Sequence, residues 1–315
     1  MVLGACIGGT AQGLSFPVKP IRLIVPHAAG GSNDILARIV AQRIAENVGQ
    51  QLVVDNRGGA TATIGTALAA RAPADGYTLL LADAPHSANP ALNRKLPYDT
   101  LKDFAAVSLL ALMPSALIVH PAVPAQSVRE LIALAKSRPG KLNYASAGAG
   151  SSIYLTMALF MEQTGIDVFH VAYKSGAPAL TDTIGGHVQM QFVNVPPVLQ
   201  HVKAGRVRAL GVTSLRRAPA LPEIPTIAEG GVPNFEDNQW MGVLVPAGAP
   251  ADVVVRLNAE IVRALSAADI RERITALGAE AVGGTSAHLD EFIRAQVARW
   301  DRVLTPRGDK VSSPR

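Results

Sequence analysis

The sequence predicts an α/β protein of two domains joined by a hinge, and three observations carry that prediction. Short β-branched runs alternate with helical-period segments almost throughout the 315 residues, a pattern that builds sheets from parallel strands with helices on both faces. The 28 glycines and 22 prolines mostly stand at the junctions between these segments, as a chain with many short loops requires. A strand stopped by proline occurs twice, at residues 117–124 and 242–250, each time leading through Ala and Pro into a helix. If those two strands run side by side, residues 16–121 and 241–305 form one domain and 122–240 form an inserted second one. Two crossings make a hinge. Each domain is expected to hold a mostly parallel sheet flanked by helices, between a signal-like or disordered N-terminus (1–15) and a disordered tail (306–315).

The elements follow in order. Residues 21–25 read as a buried strand that Pro26 stops. Ala28, Ala29, Gly30, Gly31 and Ser32 form a small-residue loop, with Asp34 as the expected N-cap of a helix. A strand, a glycine loop and a helix start together present free backbone N–H groups and the positive end of a helix dipole, an anion site built without a cation. Leu36, Val40, Ile44 and Val48 recur every four residues, and Gly49 stands where a helix ends. A strand at 52–54, the turn Asn56-Arg57-Gly58-Gly59 and a helix through Ala67 to Arg71 come next. Asp75-Gly76 turns into a strand at 77–82 that ends in a polar loop of Asp83, Ala84, Pro85, His86 and Ser87.

After the strand at 116–119, Ser127 and Glu130 make a capping box. The first design then repeats: a strand at 142–145, a loop of Ser146, Ala147, Gly148, Ala149, Gly150, Ser151 and Ser152, and a helix at 153–163 ended by Gly165. Further strands are expected at 168–172, 188–193 and 207–212, and helices at 251–265, 268–277 and 286–304.

Composition narrows the function. Hydrophobic residues make up 49% and charged residues 17% of the chain, a globular balance. The net charge is +5, but the basic residues are scattered and aromatics reach only 4%, so no nucleic-acid surface is expected. Cys6 is the one cysteine, which leaves neither an internal disulfide nor a thiolate zinc site. No run approaches the ~18 apolar residues of a membrane span. Met1 to Val18 carries no charge and is small and apolar, like the tail of a secretory signal, and Leu3-Gly4-Ala5-Cys6 resembles a lipoprotein cleavage box.

Reactive motifs are missing. There is no Gly-x-Ser-x-Gly elbow, Gly140-Lys141 is followed by Leu142, and Ile153 stands where a dinucleotide fingerprint needs its third glycine. The seven histidines show no metal-ligand spacing. No enzyme activity, metal or cofactor is expected. His27 and His86 sit at carboxyl ends of strands, where open α/β sheets bind ligands. Two loops of the same kind, one in each half, can hold a carboxylate through backbone N–H groups and hydroxyls. Tyr173 and Asn194 end two further strands of the second half.

These residues resemble a family. Phe16-Pro17-Val18-Lys19-Pro20-Ile21-Arg22-Leu23-Ile24-Val25-Pro26 with Ala29-Gly30-Gly31 and Asp34 is similar to the opening of the Bug-type solute receptors of tripartite tricarboxylate transporters. Asn56-Arg57-Gly58-Gly59-Ala60, Asp75-Gly76-Tyr77-Thr78-Leu79-Leu80, Leu96-Pro97-Tyr98-Asp99 with Lys102-Asp103-Phe104, Asn143-Tyr144-Ala145-Ser146-Ala147-Gly148, Ala172-Tyr173-Lys174 and Leu221-Pro222-Glu223-Ile224-Pro225-Thr226 follow in the family's order. The resemblance implies a two-domain periplasmic binding protein of Venus-flytrap type, a monomer that closes on a small carboxylate (a di- or tricarboxylate, an amino acid or an aromatic acid) and delivers it to membrane components of the transporter. By position it implies ligand contacts at Ala29, Gly30, Gly31, Ser32, Asp83, Ala84, Ala147, Gly148, Ser151 and Ser152, with Tyr173 and Asn194 nearby.

The chain departs from the family where His27 replaces an aromatic or other large residue, where Tyr154 replaces a frequent His, and where Asp83-Ala84-Pro85-His86 replaces a loop rich in Gly, Ser and Thr. Competing readings are a ligand sensor on the same fold and an α/β enzyme using His27, His86 and Asp83.

Overall fold

A computed structural model of the protein describes residues 16–93 and 95–305. The signal-like segment at 1–15 and the tail at 306–315 lie outside the described residues. Eleven strands and ten helices are formed among them. In chain order they are β1 (Ile21–Val25), α1 (Ser32–Val48), β2 (Leu52–Asn56), α2 (Thr63–Ala70), β3 (Thr78–Asp83), α3 (Ala84–Leu92), β4 (Phe104–Met113), β5 (Ser115–Val119), α4 (Val128–Ser137), β6 (Asn143–Ser146) and α5 (Ser152–Thr164). They continue with β7 (Phe169–Ala172), α6 (Gly176–Ile184), β8 (Met190–Asn194), α7 (Val195–Lys203), β9 (Arg208–Val212), β10 (Gln239–Pro246), α8 (Ala251–Ser266), α9 (Ala268–Ala276), β11 (Glu280–Ala281) and α10 (Ser286–Leu304).

The strands make two sheets, ordered β11-β4-β10-β3-β1-β2 and β7-β6-β8-β5-β9. Each is mixed rather than mostly parallel. β1 runs parallel to β2 and β3, and β6 parallel to β7 and β8, while β10, β4 and β11 in the first sheet and β5 in the second pair antiparallel. Strand direction depends on where the chain returns, which local sequence does not record.

The expected side-by-side pairing of the two proline-stopped strands is not formed. β5 belongs to the second sheet, between β8 and β9, and β10 belongs to the first, between β3 and β4. β5 therefore enters the second sheet ahead of residue 121, where the sequence reading drew its boundary. The chain passes between the sheets at Pro114, directly between β4 and β5, and again between β9 and β10. The two passages are tied together. Thr213 N–H donates to Ser115 O at 2.8 Å, Ser115 N–H to Thr213 Oγ1 at 2.9 Å, and Asp237 N–H to Thr213 O at 3.1 Å.

Both faces of the first sheet are covered, which is why its strands read as continuous apolar runs. Ile21, Leu23 and Val25 pack into one core with Leu36, Val40 and Ile44 of α1 and with Leu257 and Ile261 of α8. Ile24 and Leu80 turn the other way, into a core that holds Leu289, Ile293 and Trp300 of α10. That core continues into the second half through Leu155, Phe160, Phe192 and Phe235. Phe160 meets Phe192 and Phe235 edge-on, with ring centroids 5.8 Å apart in each case.

Two local expectations change. The polar stretch after β3 is helix, not loop: α3 starts at Ala84 with Pro85 in its first turn, where a missing N–H does no harm. β4, ten residues long, was not among the expected strands. The capping box at α4 is formed as expected. Glu130 N–H donates to Ser127 Oγ at 3.2 Å, and the Glu130 carboxylate accepts from Gln126 N–H at 2.7 Å.

Candidate functional site

The loop after β1 is held from within. Asp34 is not the N-cap of α1. Gly31 takes that place without a side-chain bond, and Asp34, in the first turn, reaches back instead. Its Oδ2 accepts from Gly30 N–H at 2.9 Å and Arg38 Nε at 3.1 Å, and its Oδ1 accepts from Asn56 Nδ2 at 3.0 Å. Burial acts to raise the Asp34 pKa, but the bonds from Arg38, Gly30 and Asn56 outweigh it and hold the carboxyl below its ordinary value. The Gly30 N–H expected to face a ligand is therefore occupied. The first intrahelical bond of α1 is Ile35 N–H to Gly31 O, so the N–H groups of Ser32, Asn33 and Asp34 have no acceptor within the helix.

The β2–α2 loop seats this first loop. A Cβ on Gly65 would lie 2.9 Å from Pro26 Cα and 2.7 Å from Arg57 O, so only glycine lets α2 approach the end of β1 so closely. Beyond it, Ala60, Thr61 and Ala62 adopt three successive left-handed conformations, with φ of 46°, 52° and 68°. Such strain in non-glycine residues persists where surrounding structure enforces it, often at functional sites. Asn89 Nδ2 secures the loop by donating to Thr61 O at 2.9 Å. Sequence reasoning missed Thr61. The Asn56-Arg57-Gly58-Gly59-Ala60 motif beside it is the available signal, and it reads as a turn and a family match without naming Thr61.

The second loop contains similar substitutions of role. Ser151 caps α5: its Oγ accepts from Tyr154 N–H at 3.3 Å and donates to Gly148 O at 2.8 Å. Its hydroxyl is thus turned into its own loop, whereas Ser152 is engaged at its backbone, where its carbonyl oxygen accepts from Thr156 Oγ1 at 2.9 Å. The N–H groups of Ser152 and Ile153 lie ahead of the first intrahelical bond, Leu155 N–H to Ser151 O. Ser151→Ala is expected to lower stability by about 1 kcal/mol, the usual effect of a lost cap. Urea unfolding measures it, and an unchanged midpoint would show that the cap contributes nothing. Ser146 Oγ lies 2.7 Å from His170 Nε2, superficially a serine–histidine pair. Ser146 is completely buried and also accepts from Gly148 N–H at 3.1 Å, so the pair braces the loop. Burial lowers the His170 pKa.

Several expected residues gather around this loop. Tyr173 N–H donates to Ser146 O at 2.9 Å, and a Cβ on Gly148 would sit 3.8 Å from Tyr173 O. The Tyr173 hydroxyl donates to Asp182 at 2.6 Å, and burial together with that carboxylate pushes its pKa up to about 12. Asn194 Oδ1 accepts from Ser115 Oγ at 3.4 Å. Ala147 and Gly148 are half-buried.

Across the gap between the loops, Thr61 Oγ1 reaches Ala149 O at 3.5 Å. A Cβ on Gly150 would meet Thr61 Cγ2 at 2.7 Å and Leu92 Cδ1 at 2.9 Å. Contact between the two halves at this point therefore runs through α2's leading loop and the end of α3.

In the first half, His27 Nε2 stands 2.7 Å from Asp83 Oδ2, and Asn33 Nδ2 donates to the same oxygen at 2.8 Å. Burial acts to lower the His27 pKa, but the Asp83 charge and contact outweigh it, leaving it raised above 6.5. Ala29, Gly30 and Gly31 are exposed, Ser32 is half-buried and Ala84 is buried. His86 is not at the mouth. It is 1% exposed, with its ring 5.3 Å from Phe104 and 6.3 Å from Tyr98. Burial pushes its pKa down to about 4 against the opposing charge of Asp83, so its ring is neutral at pH 7. Two surface depressions, about 350 Å³ beside Arg22 and Asp55 and about 500 Å³ beside Lys136 and Glu162, contain none of the expected site residues.

The family described as the tripartite tricarboxylate transporter family receptor matches residues 36–308. BugT of Bordetella pertussis is 37% identical over 299 residues, covering 94% of this chain and 92% of that protein. Among solved structures, Rpa4515 of R. palustris with adipate superposes with a TM-score of 0.82 at 36% identity, covering 93% of this chain and 98% of that one. MatC of Rhodopseudomonas palustris with bound malate gives 0.80 at 32% identity, covering 92% and 100%. Among the described residues no helix is long and apolar enough to cross a membrane. The fold is that of a two-domain periplasmic binding protein, and the chain belongs to the tripartite tricarboxylate transporter receptor family.

Proposed function

We propose that this receptor works in the periplasm, where it captures a small carboxylate between its two domains and delivers it, as a monomer, to the membrane components of a tripartite tricarboxylate transporter. The observation that carries the reading is the pair of helix starts. Ser32, Asn33 and Asp34 of α1, and Ser152 and Ile153 of α5, leave backbone N–H groups without intrahelical acceptors, on loops whose halves touch at Thr61 and Ala149. N–H groups at a helix start bind anions, and a water-excluded cleft strengthens each bond. The similar proteins that hold adipate and malate support a carboxylate ligand.

On this reading the ligand contacts come from Ser32 in the first half and from Ala147, Gly148 and Ser152 in the second. Asp34 and Ser151 hold the two loops in shape. We take the two passages as the domain boundary, with β1 to β4 and β10 to α10 in one domain and β5 to β9 in the other.

A thermal-shift screen of aliphatic diacids, amino acids, hydroxy acids and aromatic acids tests the proposal. A ligand present at about a hundred times its Kd adds about 2.7 kcal/mol to stability, a shift of several degrees. The absence of stabilisation by every carboxylate at millimolar concentration would overturn it.

A further inference from the structure

At the carboxyl end of β3 the fold buries more polar atoms than it pairs. Asp83 is 4% exposed. One of its oxygens accepts from Asn33 Nδ2 and lies 2.7 Å from His27 Nε2, while Oδ1 is buried with no hydrogen-bond partner. Three residues along α3, both ring nitrogens of His86 are buried without partners as well. A buried acceptor with nothing to accept is unfavourable, and a native structure that keeps one calls for an explanation. Packing alone would be better served by an apolar residue at this position. A carboxylate oxygen accepts hydrogen bonds and donates none, so the partner that suits Oδ1 is a hydrogen-bond donor.

The position of Asp83 points to where that donor comes from. β1 and β3 are parallel neighbours, and His27 and Asp83 stand just past and at their carboxyl ends, the edge at which α/β sheets bind ligands. Asn33, which donates to Oδ2, lies in the first turn of α1, the same turn whose N–H groups have no acceptor within the helix. The His27 side chain is 30% exposed, so this polar cluster reaches solvent on its His27 side.

We infer that Asp83 is the specificity-determining residue of the cleft: its free Oδ1 accepts a hydrogen bond from a donor that the ligand carries beside its carboxylate, an ammonium or a hydroxyl group. Asn33 and His27 are positioning residues that hold the opposite oxygen. The inference rests on the carboxylate-receptor reading and deepens it, naming amino acids or hydroxy acids rather than plain acids as the ligand class. A plain acid leaves Oδ1 unpaired. A site built around a polar partner rejects the analogue that lacks it far more strongly than an apolar pocket rejects a missing methylene.

Isothermal titration with matched sets tests this: succinate, malate and aspartate; adipate, 2-hydroxyadipate and 2-aminoadipate; propionate, lactate and alanine; phenylpropanoate, phenyllactate and phenylalanine. In the wild-type protein at least one amino or hydroxy acid is expected to bind about tenfold or more tighter than its unsubstituted parent. Preference for the amino member identifies an ammonium donor, and preference for the hydroxy member identifies a hydroxyl donor. Asp83→Ala is expected to bring the preferred ligand and its parent within about threefold of each other. If Asp83→Ala does not fold, Asp83→Asn serves, since loss of the charge weakens the donor's bond while the shape is kept. Parent acids that bind wild type as tightly as their substituted partners in every set that binds sink the inference and leave the receptor reading standing. So does an Asp83 variant that weakens both members of a set equally. Binding of no member of any set overturns both.

Discussion

Gly150→Ala is expected to weaken ligand binding about tenfold to a hundredfold while leaving the fold intact. The added methyl would lie 2.7 Å from Thr61 Cγ2 and 2.9 Å from Leu92 Cδ1, both on the opposite half of the molecule. Overfilling a packed contact typically costs about 1–3 kcal/mol, and each 1.4 kcal/mol is a factor of about ten in affinity. Gly150 also holds φ at +79°, a strain that alanine would feel whether the halves touch or not. The overlap with Thr61 and Leu92 arises only when they touch. A penalty confined to one of two conformations shifts the balance between them, so the variant should favour separated domains. Titration with a ligand from the screen gives the affinity, and X-ray scattering with saturating ligand gives the radius of gyration. Wild-type affinity in the variant would mean that binding does not require this contact.

The second large effect is expected at Arg299→Met, with a loss of about 3 kcal/mol at pH 7, the lower end of the range for a broken buried ion pair. Asp237 is 7% exposed. It accepts from Thr156 Oγ1 at 2.6 Å, and Arg299 Nη1 lies 3.5 Å from its other oxygen. Arg299 stands on α10, Thr156 on α5, and Asp237 in the passage leading to β10, so one cluster joins both halves to the hinge. Burial raises the Asp237 pKa above its ordinary 3.8, with the Arg299 charge and the Thr156 bond working against it. Without Arg299 it rises further.

A carboxyl raised in the folded state contributes stability that is complete below its unfolded-state value and is lost as the pH climbs through the folded-state one. The variant should therefore fall little short of wild type below pH ~4 and progressively further short as the pH rises from there to 7. Urea unfolding at several pH values measures the difference. An equal loss at every pH would locate the effect in the Arg299 guanidinium over the Trp300 ring and not in the charge of Asp237.

Local sequence carried most of the elements and little of their partnership. β1, α1 with its closing Gly49, the Ser127–Glu130 box and α8 to α10 were legible because each is written within one or two helical turns or a single apolar run. The mixed sheets were not. β10 is inserted antiparallel between β3 and β4, and nothing in the sequence of β10 states which strand it will meet. The site divided the same way. The two small-residue loops were legible as backbone donors, but the use of each side chain was not: Gly30 gives its N–H to Asp34, and Ser151 spends its hydroxyl on its own loop. The pairing of Asp83 with Asn33 spans 50 residues and needs β1 and β3 to be neighbours first. His86 looked like a mouth residue because Asp83 to Ser87 reads as polar loop; once α3 forms there, the ring turns into the core.

One consequence of the topology concerns the order in which the chain can be completed. The second sheet takes all its strands from a single stretch, Ser115 to Val212. The first does not: β10 lies between β3 and β4, and α10 covers Ile24 and Leu80. β1 and β3 thus wait for a helix made long after them, and the inserted unit is able to finish before the first sheet is complete. Unfinished sheets with apolar faces are the species that aggregate. A premature stop ahead of α10 would accordingly ruin the beginning of this protein, since β1 and β3 would have lost the surface that shields them.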